Sequence, residues 1–317
     1  MEGHLSPKDL ALAIGVSESS LKRWVDDGRL SATRTSGGHR RIPLHEAVRF
    51  IRESAQSVVR PGLLGIPGLS AEASRLVASG KGEAMLVSSL EAGHSEQARG
   101  ILLSHYLCTS SVASVCDGPI AHAMHRIGEL WRHNGQQGIA IEHRATTTCV
   151  EALHNIRMLL PPIEGRRPGP APVAVGGAVE TDPYQLPTLM AATCLRELGW
   201  RDVNLGATSP TGALLEEARR NGAGLVWMSA SAHDAGFDLV AEVTRLAEGV
   251  AEIGATLVLG GRAIMGLSLP RLPSTHIVHS MTELTSVAKS LMHRERESKP
   301  VVVEPVERSP RPARARV

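Results

Sequence analysis

Pro172-Val173-Ala174-Val175-Gly176-Gly177 is an apolar run too short for a helix and without polar alternation. It reads as a strand buried on both faces of a parallel sheet. Outward from it, helical and strand periods alternate. A helix over 188–198 precedes a strand at Val203-Asn204-Leu205-Gly206, and a helix over 211–221 precedes a strand at Leu225-Val226-Trp227-Met228. A helix over 237–253, strands at Thr256-Leu257-Val258-Leu259 and Thr275-His276-Ile277-Val278, and a helix over 282–293 complete the series. Repeated βα units of this size predict a doubly wound α/β domain, a Rossmann-like parallel sheet, over 166–293. No G-x-G-x-x-G follows the first strand, which argues against a dinucleotide.

In such sheets ligands sit beyond the carboxyl ends of the strands, and three short stretches fall there. Asp182-Pro183-Tyr184-Gln185-Leu186-Pro187 is followed after 41 residues (188–228) by Ser229-Ala230-Ser231, and after 28 more (232–259) by Gly260-Gly261. This resembles the Asp-x-His-x-x-Gly, Ser-x-Leu, Gly-Gly signature of cobalamin-binding domains. The resemblance implies a site built from Asp182, Tyr184, Ser229, Ser231, Gly260 and Gly261, with small residues leaving room for the ligand's nucleotide tail. In that family the His reaches cobalt from below; here the matching residue is Tyr184, a phenol of ordinary pKa near ~10 and a poor cobalt ligand. The motif's Gly is Pro187. Three occupants stay open: cobalamin (adenosylcobalamin) held without a lower protein ligand, another flat tetrapyrrole such as haem or a bilin, or none. Phenolate does ligate haem iron in some proteins.

Residues 70–165 carry helical spacing, as in Ile120, Met124, Ile127, Leu130 and Trp131, and predict a bundle of four or five helices. Within it Trp131-Arg132-His133 precedes Glu142-His143. The pair resembles the Trp-x9-Glu-His cap of the CarH-type light-responsive cobalamin repressors. That resemblance implies that Trp131, Glu142 and His143 cover the upper face of the corrin, with His143 or His133 as metal contact. Ten residues (132–141) intervene here, and the loop Asn134-Gly135-Gln136-Gln137-Gly138 could absorb the extra one. His122 and His125 lack a third ligand and read as helix-surface residues.

The first 55 residues predict a winged helix-turn-helix. Ser6-Pro7 opens a helix whose Leu10, Leu12, Ala13 and Ile14 form a buried side, and Gly15-Val16-Ser17 turns the chain into a second helix. That helix buries Leu21, Trp24 and Val25 and presents Ser19, Ser20, Lys22 and Arg23. Arg29 to Arg41 is a ribbon with arginines and no acid, offering Arg34, His39, Arg40 and Arg41. A helix with small and basic side chains suits a major groove, and a basic wing beside it suits phosphates. The stretch resembles the DNA-binding domain of MerR-family regulators, and Gly37-Gly38-His39-Arg40-Arg41-Ile42 matches their wing. Leu44 to Ala55 reads as a closing helix, 56–69 as a Pro- and Gly-broken linker, and 294–317 as a disordered basic tail.

The net charge of +2 is too small to name a partner, so the distribution of charge carries the argument. The four cysteines have no paired spacing and read as free thiols, and no stretch approaches the ~20 apolar residues of a membrane span. A cytoplasmic transcriptional regulator is expected. It would bind a double-stranded DNA operator as a homo-oligomer, dimer or tetramer, and a tetrapyrrole, with or without light, would control assembly and repression. The alternatives are a ligand-independent or protein-regulated DNA-binding oligomer and, less favoured for want of a substrate barrel, a cobalamin-dependent enzyme subunit.

Overall fold

Ser6 and Ser17 set the first two helices in place. In this computed structural model, which describes residues 3–109, 111–166 and 169–298 less the side chains of 130–134 and 295–298, both act as caps. Ser6 Oγ accepts the Asp9 N–H of α1 (Pro7–Ile14) at 3.1 Å, and Ser17 Oγ accepts the Ser20 N–H of α2 (Glu18–Asp26) at 3.1 Å. Gly15, at φ 71°, makes the turn between them. Leu10, Ala11, Ala13 and Ile14 are buried, whereas Leu12, expected beside them, is exposed. At about 100° per residue Leu12 is turned roughly 200° from Leu10, onto the opposite face. The wing is β2 (Thr33–Arg34) on β3 (Arg40–Pro43); β1 (His4–Leu5), too short to announce itself, pairs with the other edge of β3. α3 (Leu44–Glu53) closes this unit, with the Phe50 ring 5.0 Å from that of Trp24.

The segment 56–69 is packed rather than a free linker. The N–H groups of Val59 and Arg60 both donate to the Ala13 carbonyl, at 2.9 and 3.0 Å, and Pro61–Leu64 forms a single 3-10 turn. Pro and Gly do break the helical period there, but Leu64, Ile66 and Leu69 bring apolar surface that must be covered. One apolar core therefore runs from the winged unit into the helical layer. That layer comprises α4 (Ala71–Ala78), α5 (Gly82–Ala92), α6 (Ser95–Cys108), the short α7 (Val112–Val115), a π-helical turn Cys116–Ile120, and α8 (Ala121–Leu159). Within α8 only Gly135 leaves helical geometry, at φ 51° and ψ −134°, so the chain bends inside the stretch where the extra residue was expected.

The third layer is the predicted parallel sheet. Its elements are β4 (Val173–Ala178), α9 (Gln185–Glu197), β5 (Arg201–Asn204), α10 (Thr211–Asn221), β6 (Leu225–Ser229) and α11 (Leu239–Glu252). They continue with β7 (Thr256–Gly260), α12 (Arg262–Met265), β8 (Thr275–Ile277) and α13 (Met281–Ser298). The strand order is β5-β4-β6-β7-β8, parallel throughout, so the chain leaves β4 in one direction and returns in the other. Doubly wound sheets bind ligands at that switch point. β4 and β6 are buried at every residue, α10 and α11 cover one face, and α9 and α13 cover the other. A Cβ on Gly176 would lie 2.1 Å from the Trp227 ring, so glycine is what lets Trp227 lie against β4 and donate to Thr188 Oγ1 at 2.9 Å.

Several boundaries differ from expectation by a few residues. α9 starts at Gln185, three residues early, because Pro187 sits in its first turn, where a missing N–H costs no helical bond. β5 starts two residues early; its half-exposed edge hides the period. α13 continues to Ser298, past the expected boundary at 293, and the rest of the predicted tail lies outside the described residues. No described helix is long and apolar enough to cross a membrane.

Candidate functional site

The carboxyl ends of β6 and β7, with Tyr184 from the segment after β4, open into a cavity of about 710 Å³ walled by the helical layer. Ser229, Ser231, Gly260 and Gly261 line its floor, together with Trp227 and Met228. Gly261 sits at φ 104°, where a Cβ would lie 2.3 Å from the Ala230 carbonyl oxygen; only glycine fits. Tyr184, Leu186, Pro187 and Met190 form one side wall, and Val278, His279 and Met281 another.

Asp182, fully buried, does not point into the cavity but holds its floor together. One carboxylate oxygen accepts the Tyr184 N–H at 2.9 Å and the other accepts the Ser231 N–H at 2.6 Å. Its backbone carbonyl takes the Thr208 N–H at 3.0 Å. The loop after β4 and the loop after β6 are thus tied to one side chain. Ser229 Oγ is buried beside them and has no hydrogen-bond partner among the described residues. A buried hydroxyl without a partner is costly, and one on a cavity floor is suited to a polar group of a ligand.

From the opposite side, Glu142 and Thr146 of the second half of α8 line the cavity, with Thr146 Oγ1 donating to Glu142 at 3.0 Å. His143 does not: its ring is 73% exposed and turned outward, 3.6 Å from the Glu142 carboxylate. The expected side-by-side Glu142-His143 cover is therefore split, because consecutive helical residues diverge by about 100°. The side chains of Trp131 and His133 lie outside the described residues. The first half of α8 supplies what the sequence reading missed, Ala121, Met124, His125, Gly128 and Glu129. His122 and His125 are both exposed, as expected for helix-surface residues, but His125 also borders the cavity. Detecting it from sequence would have required knowing which face of α8 meets the sheet.

The cavity wall is fastened across layers. Asp117, from the π-helical turn, accepts the Met281 and Thr282 N–H groups at 2.8 and 2.9 Å and the Thr282 hydroxyl at 2.6 Å, capping α13 from outside. All described cysteines are free thiols. Cys116 lines the cavity; its hydrogen bond to Cys194 and burial push that thiol well up, and burial pushes Cys149 up to about 12. Both stay protonated, and no group of three metal-ligating side chains occurs among the described residues.

On the winged unit, Arg23, Arg34, His39 and Arg41 are exposed, and Lys22 is exposed in an ion pair with Glu18 at 2.8 Å. Ser19 and Ser20 hydroxyls each lie 2.9 Å from Ser17 Oγ, within the helix cap. Arg40 differs from the rest: its guanidinium meets Asp26 at 2.5 Å and reaches the Lys22 carbonyl at 3.5 Å, bolting the wing to α2.

Residues 5–55 match a family model described as a helix-turn-helix domain. No curated protein matches the chain. Among solved structures, the chain is similar to the monomethylamine corrinoid protein of Methanosarcina barkeri, at 15% identity and a TM-score of 0.48 over 66% of this chain and 97% of that one. It is also similar to the methanol:cobalamin methyltransferase complex of the same organism (13%, TM-score 0.33, 68% and 84%). A cobalamin-binding protein of Desulfitobacterium hafniense gives 11% and a TM-score of 0.32 over 66% of this chain and 98% of that one.

Proposed function

We propose that this chain is a cytoplasmic DNA-binding transcriptional regulator whose α/β domain senses a cobalamin or related flat tetrapyrrole. The observation that carries the ligand half is the cavity at the switch point, with its unpartnered Ser229 hydroxyl. The glycines at 260 and 261 keep the floor low enough for a slender group, and Met124, Leu186, Met190, Val278 and Met281 give the apolar walls a macrocycle needs. The residues present therefore fit the ring and tail of such a ligand. They do not supply the lower imidazole, since Tyr184 holds that place. When bound, a cobalamin would supply a light-labile or ligand-exchangeable metal centre. The chain's own residues would orient it and read its presence as a change in the packing of α8 and α9.

The helix-turn-helix domain favours a regulator over an enzyme. Of the two carboxylates in the motif frame and the cap, Asp182 lies beneath the floor bound to backbone amides and Glu142 accepts from Thr146. Operator control through assembly follows if a dimer or tetramer presents several winged domains at once, because ligand or light that alters assembly then alters avidity. A second reading, a ligand-independent DNA-binding oligomer, is favoured by the ordered first turn of α9 at 185–187, where the motif's own glycine would stand.

One experiment separates them. The protein is incubated separately with adenosylcobalamin, haem and biliverdin, freed of excess, and its absorption and operator affinity are recorded before and after illumination. A retained pigment together with a several-fold change in DNA affinity supports the sensor. No retained colour with unchanged DNA binding leaves the oligomer. The wing offers a separate check. Arg41→Ala is expected to lower the slope of log affinity against log salt by about 1, as for one lost phosphate contact. Arg40→Ala should chiefly lower the melting temperature of the winged unit, because Arg40 is spent on Asp26. Equal salt slopes for Arg41→Ala and the unaltered protein would remove Arg41 from the DNA face.

A further inference from the structure

The half of α8 before Gly135 lays one stripe of side chains along the cavity: Ala121, Met124, His125, Gly128 and Glu129. The spacing i, i+3, i+4, i+7, i+8 keeps them on one face over about 12 Å, eight residues at about 1.5 Å rise. His125 stands in the middle, with alanine one turn before it and glycine about one turn after. A Cβ on Gly128 would touch nothing within 4 Å, so the space beside the imidazole is open. No hydrogen bond of the His125 ring occurs among the described residues. Across the cavity, the floor carries the buried Ser229 hydroxyl, without a partner among the described residues, and Tyr184 lines a side wall.

We propose that His125 is the axial metal ligand of this cavity, for a planar metallated tetrapyrrole lying against α8. This rests on the function proposed above and assigns the metal contact to a residue outside the motif frame and outside the 131–143 cap. The imidazole has open space on its Ala121 and Gly128 sides, while Glu129 at i+4 borders the same stripe, so a flat ring could approach it from the small-residue sides. Neutral imidazole is a good donor to cobalt and iron alike. His143, turned to solvent, cannot serve, and His279 lies on the far wall, at the start of the α13 segment.

The test uses the full chain, with aquocobalamin and ferric haem in separate arms. His125→Ala and His279→Ala are compared with the unaltered protein by absorption spectrum, pigment affinity and circular dichroism. Exchange of the metal's water for imidazole moves the absorption bands of either pigment. The expected result is a shifted spectrum with the unaltered protein and with His279→Ala. His125→Ala should keep its helicity, show the spectrum of the free pigment and bind at least about tenfold more weakly. Which pigment shows the shift identifies the metal. A bound pigment whose spectrum His125→Ala leaves as in the unaltered protein, or a shift lost with His279→Ala instead, overturns the assignment and leaves the sensor reading standing. Retention of neither pigment overturns both.

Discussion

Arg52→Ala is expected to destabilise the protein by about 3 kcal/mol and to loosen the winged unit from the two layers behind it. Arg52 ends α3 yet binds nothing in its own unit: Nε donates to the Thr109 carbonyl at 3.1 Å, Nη1 to the Tyr106 hydroxyl at 2.8 Å, and Nη2 to Glu197 at 2.9 Å. The guanidinium carbon lies 4.0 Å from the centre of the Tyr106 ring, and burial pushes the Tyr106 phenol well up, so it remains a neutral acceptor. The other oxygen of Glu197 accepts the Val112 N–H at 2.7 Å. One cluster therefore joins α3, the end of α6, the start of α7 and the last turn of α9. Side-chain exposures of 11% for Arg52 and 15% for Glu197 decide the magnitude. An exposed ion pair contributes about 0–1 kcal/mol, whereas removing one partner of a buried pair costs about 3–5 kcal/mol, because the other charge is stranded. Arg49–Glu53, with Glu53 63% exposed, is the internal contrast, and Glu53→Ala should change stability by less than about 0.5 kcal/mol.

Urea unfolding of the two variants checks this directly, and equal small shifts for both would remove Arg52 as a junction. The position of the junction adds a functional consequence. α9 begins at the cavity wall with Leu186, Pro187 and Met190 and ends at Glu197, which holds Arg52 of the winged unit, so one helix physically connects the cavity to that unit. Under the proposed function, Arg52→Ala retains pigment and DNA binding but loses the influence of one on the other.

The fold was legible where the physics is local and repeated. Short apolar runs such as 173–177 and 225–228 can only be buried strands when helical periods separate them, and the caps at Ser6 and Ser17 are set by a hydroxyl three residues from a free N–H. The frame of the cavity was legible for a similar reason: strand ends carry small residues at 229, 260 and 261, and topology brings strand ends together. Side-chain commitments were not legible. Arg40 looks like any wing arginine until Asp26 is placed beside it, and Arg52 looks like any exposed helix end until α6 and α9 arrive from 54 and 145 residues away. Likewise the cavity face of α8 depends on how a long helix is rotated against the sheet. The periodicity of 120–131 marks its buried side but not the residues that border a void. The segment 56–69 shows the same limit in reverse, since broken periodicity is compatible with both a loose tether and a packed turn.

Asp182→Asn is expected to cost about 2–3 kcal/mol and to open the cavity floor first. The side chain is wholly buried, and each of its two oxygens holds a backbone amide, Tyr184 at 2.9 Å and Ser231 at 2.6 Å. Asparagine keeps the shape but offers one acceptor. Its NH2 group must then face the N–H of one loop, donor against donor, so one bond is lost and one buried amide is left without an acceptor. Hydrogen bonds to a carboxylate contribute about 1.5–3 kcal/mol each, which sets the range. Ser231→Ala is the control, because the bond to Asp182 uses the Ser231 backbone and survives the change. The discriminating measurement is amide hydrogen exchange. In Asp182→Asn the Tyr184 and Ser231 amides should exchange at least tenfold faster while those of β4 and β6 stay protected, since the loops are tied by this carboxylate and the strands by their own ladder. Uniform acceleration would instead mean that the whole sheet depends on Asp182. Unchanged exchange at both loops would mean that the floor is held by the strands alone, and the residue that the motif frame brings to this place would then have no part in shaping the site.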